Sequence, residues 1–234
     1  MVQAPQRTAF SGPTLIRLLT RLTDVDVPES RQSLSDRLSQ WLGWTDAIAL
    51  STALSANPPA AAPGARSGGH AEEDECARVR ASLTKAIARD SAFSVKRRDG
   101  AQETSVDYAF FRHRCLSLQQ TMETSIGTLR GRLRSMLATR TPAMTRLAMV
   151  DAVMEQSLSA RERSLFATVP VLLGGHFERL RKAEQATLVA NDARNDTPGA
   201  WLDVFRKDMR SVLLAELEIR FQPVEGLLAA LQAR

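Results

Sequence analysis

Apolar residues recur at intervals of three and four over most of the chain, and no persuasive alternating strand pattern or fixed-period repeat interrupts that rhythm. The longest stretch opens at Tyr108. Leu118, Met122, Ile126, Leu129, Leu133 and Met136 form a continuous stripe there, which predicts one helix over Tyr108–Ala138. Thr141-Pro142 then supplies a turn, and a second helix carries Leu147, Val150, Met154, Leu158 and Leu165 in the same rhythm, ending near Val169-Pro170. Two long helices joined by so short a turn predict an antiparallel hairpin.

Shorter elements flank this hairpin. A first helix runs from Pro13 through Leu15, Leu18, Leu19 and Leu22 and breaks at Asp24–Pro28. A second starts at Ser30 or Ser33 and carries Leu34, Leu38, Trp41 and Leu42, and Gly43 separates it from a piece ending near Leu54. Residues 55–71 are rich in Pro, Ala, Gly and Ser without hydrophobic period, so they read as a flexible linker in which His70 is solvent-exposed. A helix over Glu72–Asp90 follows, with Val79, Leu83 and Ile87 on one face, and then an exposed loop over Ser94–Asp107.

Beyond Pro170, the residues Leu172, Leu173, Phe177 and Leu180 predict a helix to about Ala190, whose first turn Gly174-Gly175 loosens. The last helix begins near Pro198 with Trp201, Leu202, Phe205, Met209, Leu213 and Leu217, and continues past Pro223 with Val224, Leu227, Leu228 and Leu231. Pro223 should kink it or split it. The expected fold is all-α, a multi-helix bundle built on a long antiparallel helical hairpin. Its expected divisions are an N-terminal helical unit (1–54), the linker (55–71) and the main bundle (72–234).

Composition narrows the functional classes. A chain of 234 residues buries a core without covalent staples, and Cys76 and Cys115 stand too far apart in contrasting contexts to suggest a disulfide framework. Every long apolar stretch is interrupted by charge before it reaches membrane-spanning length, and the opening residues lack the order of a secretory signal, so the expectation is a cytoplasmic protein without a transmembrane segment.

Lys and Arg number 31 against 26 acids, a formal charge of +5, which raises the question of an anionic partner. Much of that charge is local. Seven arginines (112, 114, 130, 132, 134, 140 and 146) face a single acid, Glu123, between positions 112 and 146. Placed on a helix, Arg112, Arg130 and Arg134 flank one edge of the apolar stripe, and Arg114 and Arg132 flank the other. Such flanking charges select a packing partner while their aliphatic stems cover the seam. In the following helix Asp151, Glu155 and Glu162 line one edge of its stripe, so intramolecular pairing ranks first, an acidic protein partner second and nucleic acid third. The candidate partner-binding residues are Lys96, Arg97 and Arg98 in the loop, with Arg130, Arg132 and Arg134 on the helix.

Glu216 and Arg220 form an i, i+4 pair within the last helix's apolar stripe rather than opposite it, a placement that suits fixing packing register better than adding stability. No catalytic, cofactor or metal residue is assigned. His113 and Cys115 point in different directions on a helix, His176 has no second histidine near it in sequence, and phosphate-loop, nucleophile-elbow and zinc-protease motifs are missing.

The segments Leu147–Arg181 (LAMVDAVMEQSLSARERSLFATVPVLLGGHFERLR) and Leu213–Leu231 (LLAELEIRFQPVEGLLAAL) resemble an uncharacterised bacterial protein family of unknown function, over about two-thirds of the chain. On that resemblance, the gene is expected to lie near those for an OmpA-like protein and a membrane protein resembling motor stators. The resemblance implies a cytoplasmic accessory to an envelope-spanning assembly. The expected function is therefore a non-enzymatic helical interaction protein, with a nucleic-acid-binding regulator as the alternative.

Overall fold

A computed structural model describes residues 13–23, 32–59, 69–93, 107–189 and 199–233. Among them the regular elements are all helical: α1 (Thr14–Thr23), α2 (Leu34–Trp41), α3 (Trp44–Ser55), α4 (Gly69–Ala88), α5 (Tyr108–Leu137), α6 (Pro142–Phe166), α7 (Thr168–Val189) and α8 (Ala200–Gln232), with a single 3-10 turn at Ser91–Phe93. The fold is all-α. Lys96, Arg97 and Arg98 lie outside the described residues, as does most of the segment expected as a linker. Ser55 still belongs to α3, and α4 already begins at Gly69.

Local chemistry explains most helix boundaries. Ser33 and Asp36 close a reciprocal capping box at the start of α2. Asp107 caps α5 by accepting from the Ala109 amide, and Thr141 caps α6 by accepting from the Met144 amide with Pro142 in the first turn. Gly199 turns into α8 at φ 87°, a left-handed conformation that costs glycine least, and its amide donates to Glu184 of α7.

One proline expectation is overturned, and of the two outcomes expected at Pro223 the split does not occur. The helix expected after Pro170 starts before it, at Thr168, because the missing amide falls in a first turn whose amides have no helical acceptor. Helix α8 runs unbroken through Pro223, with Phe221 and Val224 on either side buried in the core. Tertiary burial of the flanking residues offsets the lost hydrogen bond.

The core gathers around α8. Helices α1, α4, α5 and α7 all pack against it, and α5 and α6 pair as the antiparallel hairpin. The N-terminal helices dock on this bundle: α1 lies against α7 and α8, and Leu15 and Leu22 join the common core, while α3 lies along α6. Each fully buried Leu or Phe contributes about 1.5–3 kcal/mol. At one end of the bundle Tyr108, Phe111, Phe177, Phe205 and Trp201 form an aromatic cluster with edge-on and tilted contacts.

Gly174 is part of that cluster's design. A Cβ there would come within 2.8 Å of the Tyr108 ring, so glycine permits α7 to approach close enough for the Tyr108 hydroxyl to donate to the Pro170 carbonyl. The glycine expected to loosen α7 instead lets it seat.

Candidate functional site

The two edges of α5 face two different neighbours. On one edge Arg130 reaches Asp151 at 2.7 Å and Arg134 reaches Asp151 at 2.9 Å and Glu155 at 2.6 Å, all across the hairpin seam. On the other, Arg132 pairs with Glu75 of α4, and Arg114 pairs with the buried Asp90 that follows it. The Arg130 and Arg134 heads are mostly buried, whereas that of Arg132 is largely exposed.

Glu162 takes no part in that seam. It accepts from Arg220 of α8 at 3.1 Å, and Arg220 in turn donates to Glu216 at 2.8 Å. Gln119 of α5 donates to the second Glu216 oxygen at 2.8 Å and to the Phe166 carbonyl at 3.1 Å. The Arg220 guanidinium lies 3.9 Å above the Phe166 ring. Glu216 is wholly buried and Arg220 is 7% exposed, so an ionic pair sits at the junction of α5, α6 and α8 with hydrogen bonds on both carboxylate oxygens. Burial pushes the Glu216 carboxyl above its usual range even though Arg220 and Gln119 oppose the shift.

Gln119 and Phe166 escaped the sequence reading because nothing in their spacing marks them. The Glu216–Arg220 pair was legible because two charges within an apolar stripe contradict its pattern. Cys115 lies in the same core, and burial followed by the Glu216 charge raises its thiol to about 12. It is held as a thiol and is a poor nucleophile. His176 meets Asp208 at 2.9 Å, with Arg21 of α1 at 3.8 Å from the same carboxylate, an arrangement that ties α7, α8 and α1 together. Among the described residues no three His, Cys, Asp or Glu side chains are grouped to hold a metal ion, and no helix is long and apolar enough to cross a membrane.

Two surface features remain. A cavity of about 790 Å³ opens between α5 and α6 and is bordered by α1, the end of α2, the start of α7 and the stretch of α8 around Arg220. On the far side of the α6 flank, α3 buries Ala53 and leaves Trp44 88% exposed. Those two positions are nine residues apart and so stand on opposite sides of the helix. Ile48, one turn from Trp44, and Leu34 of α2 are also exposed, so the N-terminal arm presents an apolar face outward.

No curated protein and no solved structure matches the chain. The model of a protein family of unknown function (DUF3348) matches residues 1–233, and the chain belongs to that family.

Proposed function

We propose that the protein is a non-enzymatic helical interaction protein that docks, from the cytoplasmic side, onto a protein partner within a membrane-associated assembly. The observation that carries this reading is the apolar exposure of the α2–α3 arm, with Trp44 and Ile48 one turn apart on α3 and Leu34 exposed at the start of α2. A tryptophan exposed to this extent costs solvation that docking would recover, and tryptophan is enriched among residues that dominate interfaces.

The nucleic-acid alternative draws on the same arginines that the bundle uses internally. Arg130 and Arg134 are engaged by Asp151 and Glu155, which leaves fewer heads for phosphates. A crosslinked pull-down from the native host, run in parallel on the wild type and on a Trp44→Glu, Ile48→Glu variant, tests the reading. A defined partner at moderate salt that the variant loses at unchanged melting temperature supports it. Recovery of the chain alone overturns it, and retention on duplex DNA that collapses as salt rises would favour the alternative.

A further inference from the structure

The hairpin cavity has the size and chemistry of a ligand site. Its volume of about 790 Å³ falls in the range of small-molecule sites. A ten-residue helix, about 10 Å across and rising 1.5 Å per residue, occupies on the order of 1,200 Å³, more than the cavity offers. Leu15 and Leu19 of α1, Ile126 of α5, Leu158 of α6 and Ile219 of α8 supply an aliphatic wall, with Thr124, Thr128 and Ser159 among them. Along α5 the lining runs from Gln120 to Arg130, about 15 Å of helix and comparable with an extended dodecyl chain.

The cavity reaches the α5 backbone at Gly127, where a Cβ would meet nothing within 4 Å.

Among the described residues, one arginine on the rim has no carboxylate facing it. Three of the lining carboxylates face arginines: Glu155 meets Arg134 at 2.6 Å, Glu162 meets Arg220 at 3.1 Å and Glu123 meets Arg163 at 3.7 Å. Arg161 is different. Its guanidinium lies 5.5 Å over the Trp41 ring, and no carboxylate among the described residues pairs with it. An aliphatic interior with one unmatched arginine at its border suits a molecule that is apolar along its length and anionic at one end.

We propose that this cavity binds a free single-chain anionic amphiphile, with its aliphatic chain along the α5–α6 walls and its carboxylate head on Arg161. The cavity shares Trp41 with the α2–α3 arm, whereas partner docking uses Leu34, Trp44 and Ile48, none of which lines the cavity.

Calorimetric titration of the full chain with dodecanoate, below its micelle concentration, tests the site. The wild type takes up one equivalent saturably, and dodecyltrimethylammonium of the same chain length binds at least tenfold more weakly. Gly127→Leu fills the cavity and lowers dodecanoate affinity at least tenfold at unchanged helical circular dichroism. Ser159→Leu does the same from the α6 wall and serves if the first variant is destabilised. Arg161→Ala weakens dodecanoate and leaves the cationic amphiphile unaffected. Equal binding of the two head groups, or full affinity in both cavity-filling variants, overturns the proposal. Absence of dodecanoate binding also overturns it and leaves the cavity to the side chains of a partner protein.

Discussion

Helix α8 buries thirteen of its residues, whereas α6, whose apolar stripe repeats at the same spacing, buries only Ala148. The difference lies in their neighbours. Helix α8 is enclosed by α1, α4, α5 and α7, while α6 has α5 on one side and α3 on the other. The same residue types consequently do different work. On α6, Asp151 and Glu155 join a seam at the bundle's flank. On α8, Glu216 and Arg220 lie inside the core, where an unpartnered charge has no water to turn to.

The largest expected effect comes from breaking the two ionic systems in parallel. Arg220→Ala strands the buried Glu216 carboxylate and should cost about 3–5 kcal/mol. Arg130→Ala leaves Asp151 still paired with Arg134, so no carboxylate is stranded and the cost should be smaller, about 1–3 kcal/mol. Urea denaturation of both variants decides the matter, and equal losses would remove the contrast between core and flank. Replacing both core charges with apolar side chains, Glu216→Leu with Arg220→Met, should cost much less than Arg220→Ala alone.

Apolar truncations sharpen the same contrast. Leu213→Ala in α8 should lose about 2–5 kcal/mol through transfer and cavity terms. Leu147→Ala in α6, where the side chain is already part-solvated, should stay within about 0.5 kcal/mol. A Leu147→Ala loss as large as that of Leu213→Ala would mean that α6 is covered in solution by something further.

Gly174→Ala probes how closely α7 seats on the core, because its methyl group would collide with Tyr108; overpacking of this kind costs about 1–3 kcal/mol. A melting temperature equal to the wild type would show that Tyr108 can move aside.

The smallest effect is a pH dependence. Because burial raises the Glu216 carboxyl, the folded state holds its proton more tightly than the unfolded chain does. The stability this provides is full below the usual glutamate value of about 4.3 and is lost as pH rises through the raised one. Glu216→Gln removes that dependence, so its stability relative to wild type should improve from about pH 4 and level off above the raised Glu216 value. A difference that stays flat with pH would place Glu216 in a more solvated setting than the core position assigned to it.

Much of the fold was legible because helix formation is governed locally. The α5 start at Tyr108, the α6 start at Pro142 and the all-α class follow from caps, proline placement and a period of three and four. The resemblance read from the α6–α7 and α8 segments likewise agrees with the family to which the chain belongs. Edge chemistry was partly legible too, since the basic edge of α5 does meet Asp151 and Glu155. Glu162 shows where that reasoning stops. Its position on the same edge suggested the hairpin seam, yet the approach of α8 brings Arg220 nearer.

The sequence by itself determined which segments are helices, where most begin, and that one charged pair interrupts the α8 stripe. Tertiary structure alone decided which stripe became the core, that Gln119 and Phe166 complete the Glu216–Arg220 cluster, and that a cavity stays open beside Gly127. The physical reason is one of range. A helix's period and caps depend on residues within about one turn of each other, whereas burial and charge pairing depend on which other helices approach, and at what register.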